Sequence, residues 1–437
     1  MPPRKETDTN DSFNHGNFCH PADDRRPDRY RVGITAMLPS LLTESFTVSG
    51  VYITRSMLGG INQTTLLAIP LFVLSGIIMA RGGVSKKIFD VFSYFIGNLT
   101  AGIPCAVIAT CLFFGAISGS APATVAAVGS MTIPVMLEMG YDKKFTVALV
   151  AVSGGLGVII PPSIPFILYA QAAGASVSDL FLAGVIPGLT VGAILMGYSI
   201  FYCKRHGEDK ESIHRIVDEL HKQSFGKVFF NSIWALLTPV IILGCIYSGI
   251  TSPTEAAAIS VAYSLIISLF VYRTLKFNEL WAIFVEATRT YTPILFILAA
   301  SVAFSRILTL LQIPQTVSVW ITTSFTSKVA VLLIVNVILL IVGMIMDTTP
   351  AIMILTPILL PAVQAFGVNP IQFGIIMVVN LAIGFVTPPI GVNLFVASSL
   401  SKVPVVDIAQ KAMPMIIMFL IALLLFTFVP WFSLVLL

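Results

Sequence analysis

Long apolar runs separated by short polar stretches dominate the chain from Val32 onward. Runs of this kind predict helices, because a segment crossing lipid must satisfy its own backbone hydrogen bonds. The pattern predicts helices over Thr64–Ala80, Ile103–Ile117, Pro122–Leu137, Phe145–Ile160, Ser163–Ala173 and Leu180–Tyr202. A second set falls at Thr292–Leu311, Val329–Ile345, Pro350–Ala365, Gln372–Val386, Ile390–Ser399 and Ala412–Phe428, with Val228–Tyr247 and Thr254–Tyr272 between the sets. Phe46–Leu58, Ser85–Ile96 and Glu279–Thr288 have the mixed faces of amphipathic arms on a membrane surface.

Two apolar runs are broken in the middle by proline pairs, Pro161-Pro162 in "GLGVIIPPSI" and Pro388-Pro389 in "GFVTPPIGVN". Such a break frees backbone groups that lipid cannot satisfy, so it calls for a use. The breaks are related. Gly115 and Pro122 in "GAISGSAP" match Gly343 and Pro350 in "GMIMDTTP" at an offset of 228. At an offset of 227, Gly140 matches Gly367, Gly157 matches Gly384, the two proline pairs match each other, and Pro187 matches Pro414. This is an internal duplication, and interrupted segments at matching positions of two halves point to a transporter binding site.

The expected architecture is an all-α polytopic membrane protein of inverted repeats, with two re-entrant helical hairpins (103–137 and 329–365) and two broken helices. The predicted divisions are a polar N-terminus (1–31), a truncated first helix with an arm (32–63), repeat one (64–202), a cytoplasmic loop (203–227), linking helices and an arm (228–291) and repeat two (292–437). With re-entrant hairpins, five crossings separate Thr64 from Thr292, an odd number, which inverts the second repeat. Placing 203–227 in the cytoplasm puts Arg81, Lys86, Lys87, Lys143, Lys144, the basic residues of that loop, Arg273, Lys276, Arg289, Lys402 and Lys411 inside. Beyond residue 31, only Arg55, Arg306 and Lys328 fall elsewhere, as the positive-inside rule requires.

Composition agrees. Of 437 residues, 56% are hydrophobic and 11% charged, against roughly 25% charged in a soluble chain. The net charge of +4 is spread without a basic face, which excludes nucleic acid as a partner. Cys19, Cys105, Cys111, Cys203 and Cys245 show no disulfide or metal spacing, and the histidines lie in polar stretches. An intramembrane hydrolase needs a base beside its nucleophile, so the chain reads as no enzyme. Residues 1–31 are polar, carry both charge signs, lack a secretory signal and read as disordered. The repeat predicts a full spanning helix before Ser45, yet only Val32–Leu42 is apolar there. Eleven residues rise roughly 16 Å against a core of about 30 Å. An upstream start or a frameshift is therefore expected, the alternative being a natural variant lacking half a helix.

Each break exposes helix-end carbonyls suited to a cation and helix-start amides suited to an anion. Pro162 and Pro389 read as half-helix starts, where a missing N–H costs nothing. The hairpin tips add hard oxygens: Ser118 and Ser120 in one, Asp347, Thr348 and Thr349 in the other. Asp347 is the sole carboxylate between Glu286 and Asp407, and a charge at membrane depth is functional by default, with a helix cap as the alternative. Asn380 and Asn393 flank the second break, and Arg306 is a candidate partner for a carboxylate.

"GAISGSAPATVAAVGSMTIPVMLEMGY", "GLGVIIPPSIPFILYA", "MDTTPAIMILTPILLP" and "VNLAIGFVTPPIGVNLFVASS" closely resemble the large membrane subunit of tripartite ATP-independent periplasmic (TRAP) transporters, the DctM-like family. The resemblance runs from about Gly33 to the C-terminus. It implies an ion-transporter-like, elevator-type fold in the bacterial inner membrane and sodium-coupled uptake of a small organic anion, of the C4-dicarboxylate or sugar and keto acid class. It implies two partners, a periplasmic solute-binding protein (DctP-like) and a small four-helix membrane subunit (DctQ-like), besides the lipid bilayer. Sodium sites carried over fall at Ser118, Ser120 and the backbone at Gly157–Pro161, and at Asp347, Thr348, Thr349 and the backbone at Gly384–Pro388. Substrate would lie between the tips, at Ser120, Pro162, Ser163, Thr349, Pro389 and Asn393. The alternatives are a stand-alone carboxylate symporter, a channel, and a non-functional truncated homologue.

Overall fold

Helix after helix, with no strand among the described residues, carries the chain through a computed structural model that describes residues 50–222 and 224–437. The N-terminal stretch 1–31, the shortened helix at Val32–Leu42 and the start of the arm at Phe46 lie outside the described residues. Among those described, nine helical segments are long and apolar enough to cross a membrane.

Before the first repeat comes α1 (Gly50–Ile61), and the segment of that repeat follows with α2 (Ala68–Arg81), α3 (Val84–Ile96), α4 (Gly102–Ser118), α5 (Ala121–Glu138), α6 (Lys143–Gly154), α7 (Ile164–Ala173) and α8 (Val177–His206). A connector follows with α9 (Lys210–His221), α10 (Phe225–Tyr247) and α11 (Pro253–Ile266). The second repeat contains α12 (Leu280–Leu310), α13 (Ile313–Ser324), α14 (Lys328–Ile345), α15 (Thr348–Ala365), α16 (Pro370–Gly384), α17 (Val392–Ser401), α18 (Val405–Phe428) and the short α19 (Trp431–Leu434).

Three local expectations are corrected. The arm expected at Glu279–Thr288 is continuous with the following helix, as α12. The threonines at the junction satisfy their hydroxyls on the helix itself, Thr288 on Phe284 O, Thr290 on Glu286 O and Thr292 on Thr288 O, so the polar stretch from Glu286 to Thr292 does not end it. Second, α9 and α13 form where connections were expected. The former buries Ile213 and Val217 on an otherwise charged segment capped by Asp209, whose carboxylate accepts from Ser212 N. Third, Pro162 and Pro389 are not half-helix starts. The helices begin at Ile164 and Val392, with Ser163 and Gly391 as the capping residues.

The repeats interlock. The first arm of each hairpin packs on the helix before that repeat's break, α4 on α6 and α14 on α16. The helix after each break packs on the other repeat's hairpin, α7 on α15 and α17 on α5. Likewise α8 packs on α16 and α18 on α6. The two helices that lead into the breaks are therefore the centre of the molecule: Phe145 to Gly154 and Gln372 to Gly384 are buried throughout. Around this core α2 packs on α11, where Ser75 and Ser260 share a buried 2.5 Å hydrogen bond, and α12 packs on α1 and α2. The outer faces stay apolar, with Phe230 on α10 70% exposed and Trp281 on α12 77% exposed. Apolar exposure on that scale is suited to lipid.

Candidate functional site

In each repeat the hairpin meets the break, and glycines make the meeting possible. A Cβ on Gly115 would sit 2.6 Å from Gly157 Cα, so α4 crosses the break backbone to backbone. Gly119 turns the tip at φ 60°, in the left-handed region that favours glycine. Its carbonyl accepts from Ile164 N at 3.3 Å, joining the first tip to the half-helix beyond the break. Inside the tip, Ser118 Oγ lies 3.0 Å from Thr124 Oγ1, which donates to Ser120 O at 2.8 Å. Ser118 is buried, and Ser120 lines an adjoining cavity. Gly157 packs against Thr124 Oγ1 and Ser120 O. Pro161, Pro162 and Ser163 are buried. Ser163 Oγ donates to Val158 O at 2.5 Å and accepts from Phe166 N at 3.4 Å, so it ties the two sides of the break together.

The second repeat has the same crossing with different chemistry. A Cβ on Gly384 would fall 2.4 Å from the Gly343 carbonyl. Met344 O accepts from Ile390 N at 3.3 Å, again linking tip to break. Asp347 caps α15: its Oδ1 accepts from Thr348 N at 2.7 Å. The carboxylate stands at the surface of the chain, while Thr348 and Thr349 are buried. Unlike the first break, Pro388 and Pro389 are exposed. Asn393 is buried, its backbone N bonded to Phe385 O at 3.0 Å, and its Nδ2 reaches across repeats to Ala151 O at 3.1 Å. Both proline–proline peptide bonds are cis.

The structure thus gathers Ser118, Ser120, Gly157, Pro162 and Ser163 where the first tip meets its break. In the second repeat the arm that ends just before Asp347, Thr348 and Thr349 touches the break at Gly384 and Ile390, and Asn393 beyond Pro388 and Pro389 reaches the first repeat. Two groups were missed in the sequence. Thr124 looks like one more hydroxyl on an apolar helix, and only the fold turns it onto Ser118. Asn336 sits among aliphatic residues, yet its Oδ1 accepts from Asn380 Nδ2 at 2.5 Å and its Nδ2 donates to Thr427 Oγ1 at 3.2 Å, inside the core. Asn380 precedes Gly384 by one turn, and its repeat equivalent is Ser153. Asn380 Oδ1, Asn393 Oδ1 and Ser153 Oγ are buried without a hydrogen-bond partner among the described residues. Arg306 lies beside Gly59, its Nη1 3.7 Å from where a Cβ would be.

Among the described residues no three His, Cys, Asp or Glu side chains gather as a metal centre. The donors at the crossings are hydroxyls, carbonyls, amide oxygens and one carboxylate. That all-oxygen set fits a hard cation and gives nothing to a soft one.

Comparison with known proteins decides the family. Residues 25–432 match the family described as the tripartite ATP-independent periplasmic transporter, DctM component. The chain belongs to this family. Among DctM relatives, the isethionate TRAP transporter permease protein DctMQ of Oleidesulfovibrio alaskensis is 43% identical over 399 residues. That match covers 91% of this chain and 62% of the relative, so the chain spans less than two thirds of that protein's length. The C4-dicarboxylate TRAP transporter large permease protein DctM of Pseudomonas aeruginosa is 40% identical over 372 residues, 85% of this chain and 86% of that one. The crystal structure of the Alcanivorax borkumensis YdaH transporter superposes with a TM-score of 0.62 over 92% of this chain and 97% of that one. At 12% identity that likeness concerns the fold alone. This DctM-family chain is a multi-pass protein of the inner membrane.

Proposed function

We infer that the chain is the large membrane subunit of a sodium-coupled TRAP transporter that takes up a small organic anion. The observation that carries this reading is the paired crossing: in both repeats the end of the first hairpin arm, next to hydroxyl or carboxylate oxygens, is hydrogen-bonded across a proline break, Gly119 O accepting from Ile164 N at the start of α7 and Met344 O accepting from Ile390 N between Pro389 and α17. Repeated at two places, such a crossing offers carbonyl ends to cations and amide ends to an anion. The buried unpartnered oxygens of Ser153, Asn380 and Asn393 support it, since oxygens left unsatisfied in a core are costly unless something else completes them.

In this reading α4–α5 and α14–α15 are re-entrant hairpins. Sodium binds at Ser118, Ser120 and the Gly157–Pro161 carbonyls, and at Asp347, Thr348, Thr349 and the Gly384–Pro388 carbonyls. Substrate lies between the tips at Ser120, Pro162, Ser163, Thr349, Pro389 and Asn393. Sodium orders the tips, the amide ends then hold a carboxylate or sulfonate, and the hairpin-bearing body moves across the membrane. Cation and anion stabilise each other by linkage. A periplasmic solute-binding protein delivers the anion, and a small four-helix subunit completes the membrane unit. The names of the relatives point to C4-dicarboxylates and isethionate as first substrates to try.

Reconstituting the chain in vesicles with the small subunit and the binding protein tests this. Uptake of labelled succinate or isethionate should need an inward sodium gradient and the binding protein. Uptake with neither requirement would overturn the reading in favour of a different carrier, and uptake with sodium but without the binding protein would favour a stand-alone symporter.

A further inference from the structure

The cavity beside the first tip carries charges that the crossings do not use. It holds about 570 Å³ and lies between α2, α3 and α12 on one side and the first hairpin on the other. Ser118 and Ser120 line it, together with Arg81, Lys86 and Glu286. Those three are the charged residues of its wall, two cations against one carboxylate, so the cavity is positive by one charge. The Arg81 guanidinium donates to the Glu286 carboxylate, joining the end of α2 to α12. Both side chains stay wet, 47% and 43% exposed. An ion pair this exposed is weakly held and open to exchange.

Tip and pair open on the same cavity. A Cβ on Gly76 would lie 3.1 Å from Ser118 Cα, so α2 touches the tip there. Arg81 follows Gly76 by five residues, a rise of roughly 7.5 Å along the helix. The planar fork of an arginine matches the oxygens of a carboxylate or sulfonate. The facing stripe of α5 is mostly small, Ala123, Ala126, Ala127 and Ser130, with Met131 beside them.

Building on the transport reading above, we propose that Arg81 is the anion-handling residue of this cavity. Glu286 holds the guanidinium while the path is empty. The carboxylate or sulfonate of a substrate leaving the tip takes the place of Glu286, and Lys86 offsets the second negative charge, so that the cavity becomes neutral rather than negative. Glu286 acts through Arg81, as a positioning residue.

The test introduces Ala126→Cys into the full chain and follows modification of that cysteine by mass spectrometry. The reagents are an anionic sulfonatoethyl, a neutral methyl and a cationic trimethylammonioethyl methanethiosulfonate. The anionic-to-cationic rate ratio reads the charge an anion meets. Arg81→Gln should lower it about tenfold and Glu286→Gln should raise it about fivefold. In the Arg81→Gln background the Glu286→Gln effect should shrink to less than about twofold, and Arg81→Lys should keep most of the original ratio. Ratios equal in all variants would overturn the proposal. So would an equal Glu286→Gln effect with and without Arg81, or a folded chain whose position 126 even the neutral reagent fails to reach. The readout needs neither sodium nor partner proteins. Normal ratios in a protein without sodium-driven uptake would therefore count against the transport reading, and unchanged ratios in an active transporter would count against Arg81.

Discussion

Gly384 rests its backbone on the backbone of Gly343, so closely that a single added methyl would lie 2.4 Å from the Gly343 carbonyl carbon and oxygen. Their repeat equivalents also meet backbone to backbone, with the roles reversed: a Cβ on Gly115, the counterpart of Gly343, would lie 2.6 Å from Gly157 Cα. Both contacts are made by backbone, which cannot rotate out of the way as a side chain can.

Gly384→Ala and Gly115→Ala should each force a hairpin arm away from its break. Overpacking of this kind costs about 1–3 kcal/mol, and the loss should appear as a lower midpoint of thermal unfolding in detergent. Gly197→Ala on α8 is the control. Nothing lies within 4 Å of its added carbon, and helix propensity favours alanine there by up to about 1 kcal/mol, so its midpoint should hold or rise.

Thr124→Val removes the hydroxyl that joins Ser118 Oγ to Ser120 O. The lost bonds should cost about 1–2 kcal/mol of stability. The variant should also lose much of any stabilisation by sodium, because the first tip would no longer hold its oxygens in place. Thr124→Ser keeps the hydroxyl and should keep both. Unfolding midpoints measured with and without sodium chloride, at constant ionic strength, separate the two effects.

Asn336→Leu should destabilise by about 1–3 kcal/mol, since it strands the Asn380 amide in the core. The double change Asn336→Leu/Asn380→Leu should recover part of that loss, because an apolar pair leaves nothing unsatisfied. A coupling energy of about 0.5–3 kcal/mol in the double-mutant cycle would be the signature of the contact.

Much of this arrangement can be read in the sequence. The glycine and proline anchors, held at offsets of 228 and 227, fix which segments correspond, and the apolar runs fix most helices to within a few residues. What the sequence hides is set by contacts between distant segments. The α13 segment, "IPQTVSVWITTS", is rich in β-branched residues that disfavour a helix on their own; it forms by packing on α15. The Glu279–Thr288 segment looks like a separate amphipathic arm because the partner of Glu286, Arg81, is about two hundred residues away in sequence. The half-helix starts move from Pro162 and Pro389 to Ile164 and Val392 because caps at Ser163 and Gly391 take over the turn. Nor does a duplicated sequence announce that the first break is buried while Pro388 and Pro389 stand exposed. The first break is covered from within its own repeat, where Gly184 and Gly188 of α8 pack on Ile159 and Ile160.

The central claim is that the tips hold a cation, and thermal unfolding in sodium, potassium and choline chloride at equal ionic strength tests it most directly. The purified chain is measured alone and as Asp347→Ala. A cation at ten times its dissociation constant adds about 1.4 kcal/mol. The account predicts a midpoint raised by sodium and not by potassium or choline, with the rise reduced or lost in Asp347→Ala. Equal midpoints in the three salts, from a sample shown to be folded, would contradict it.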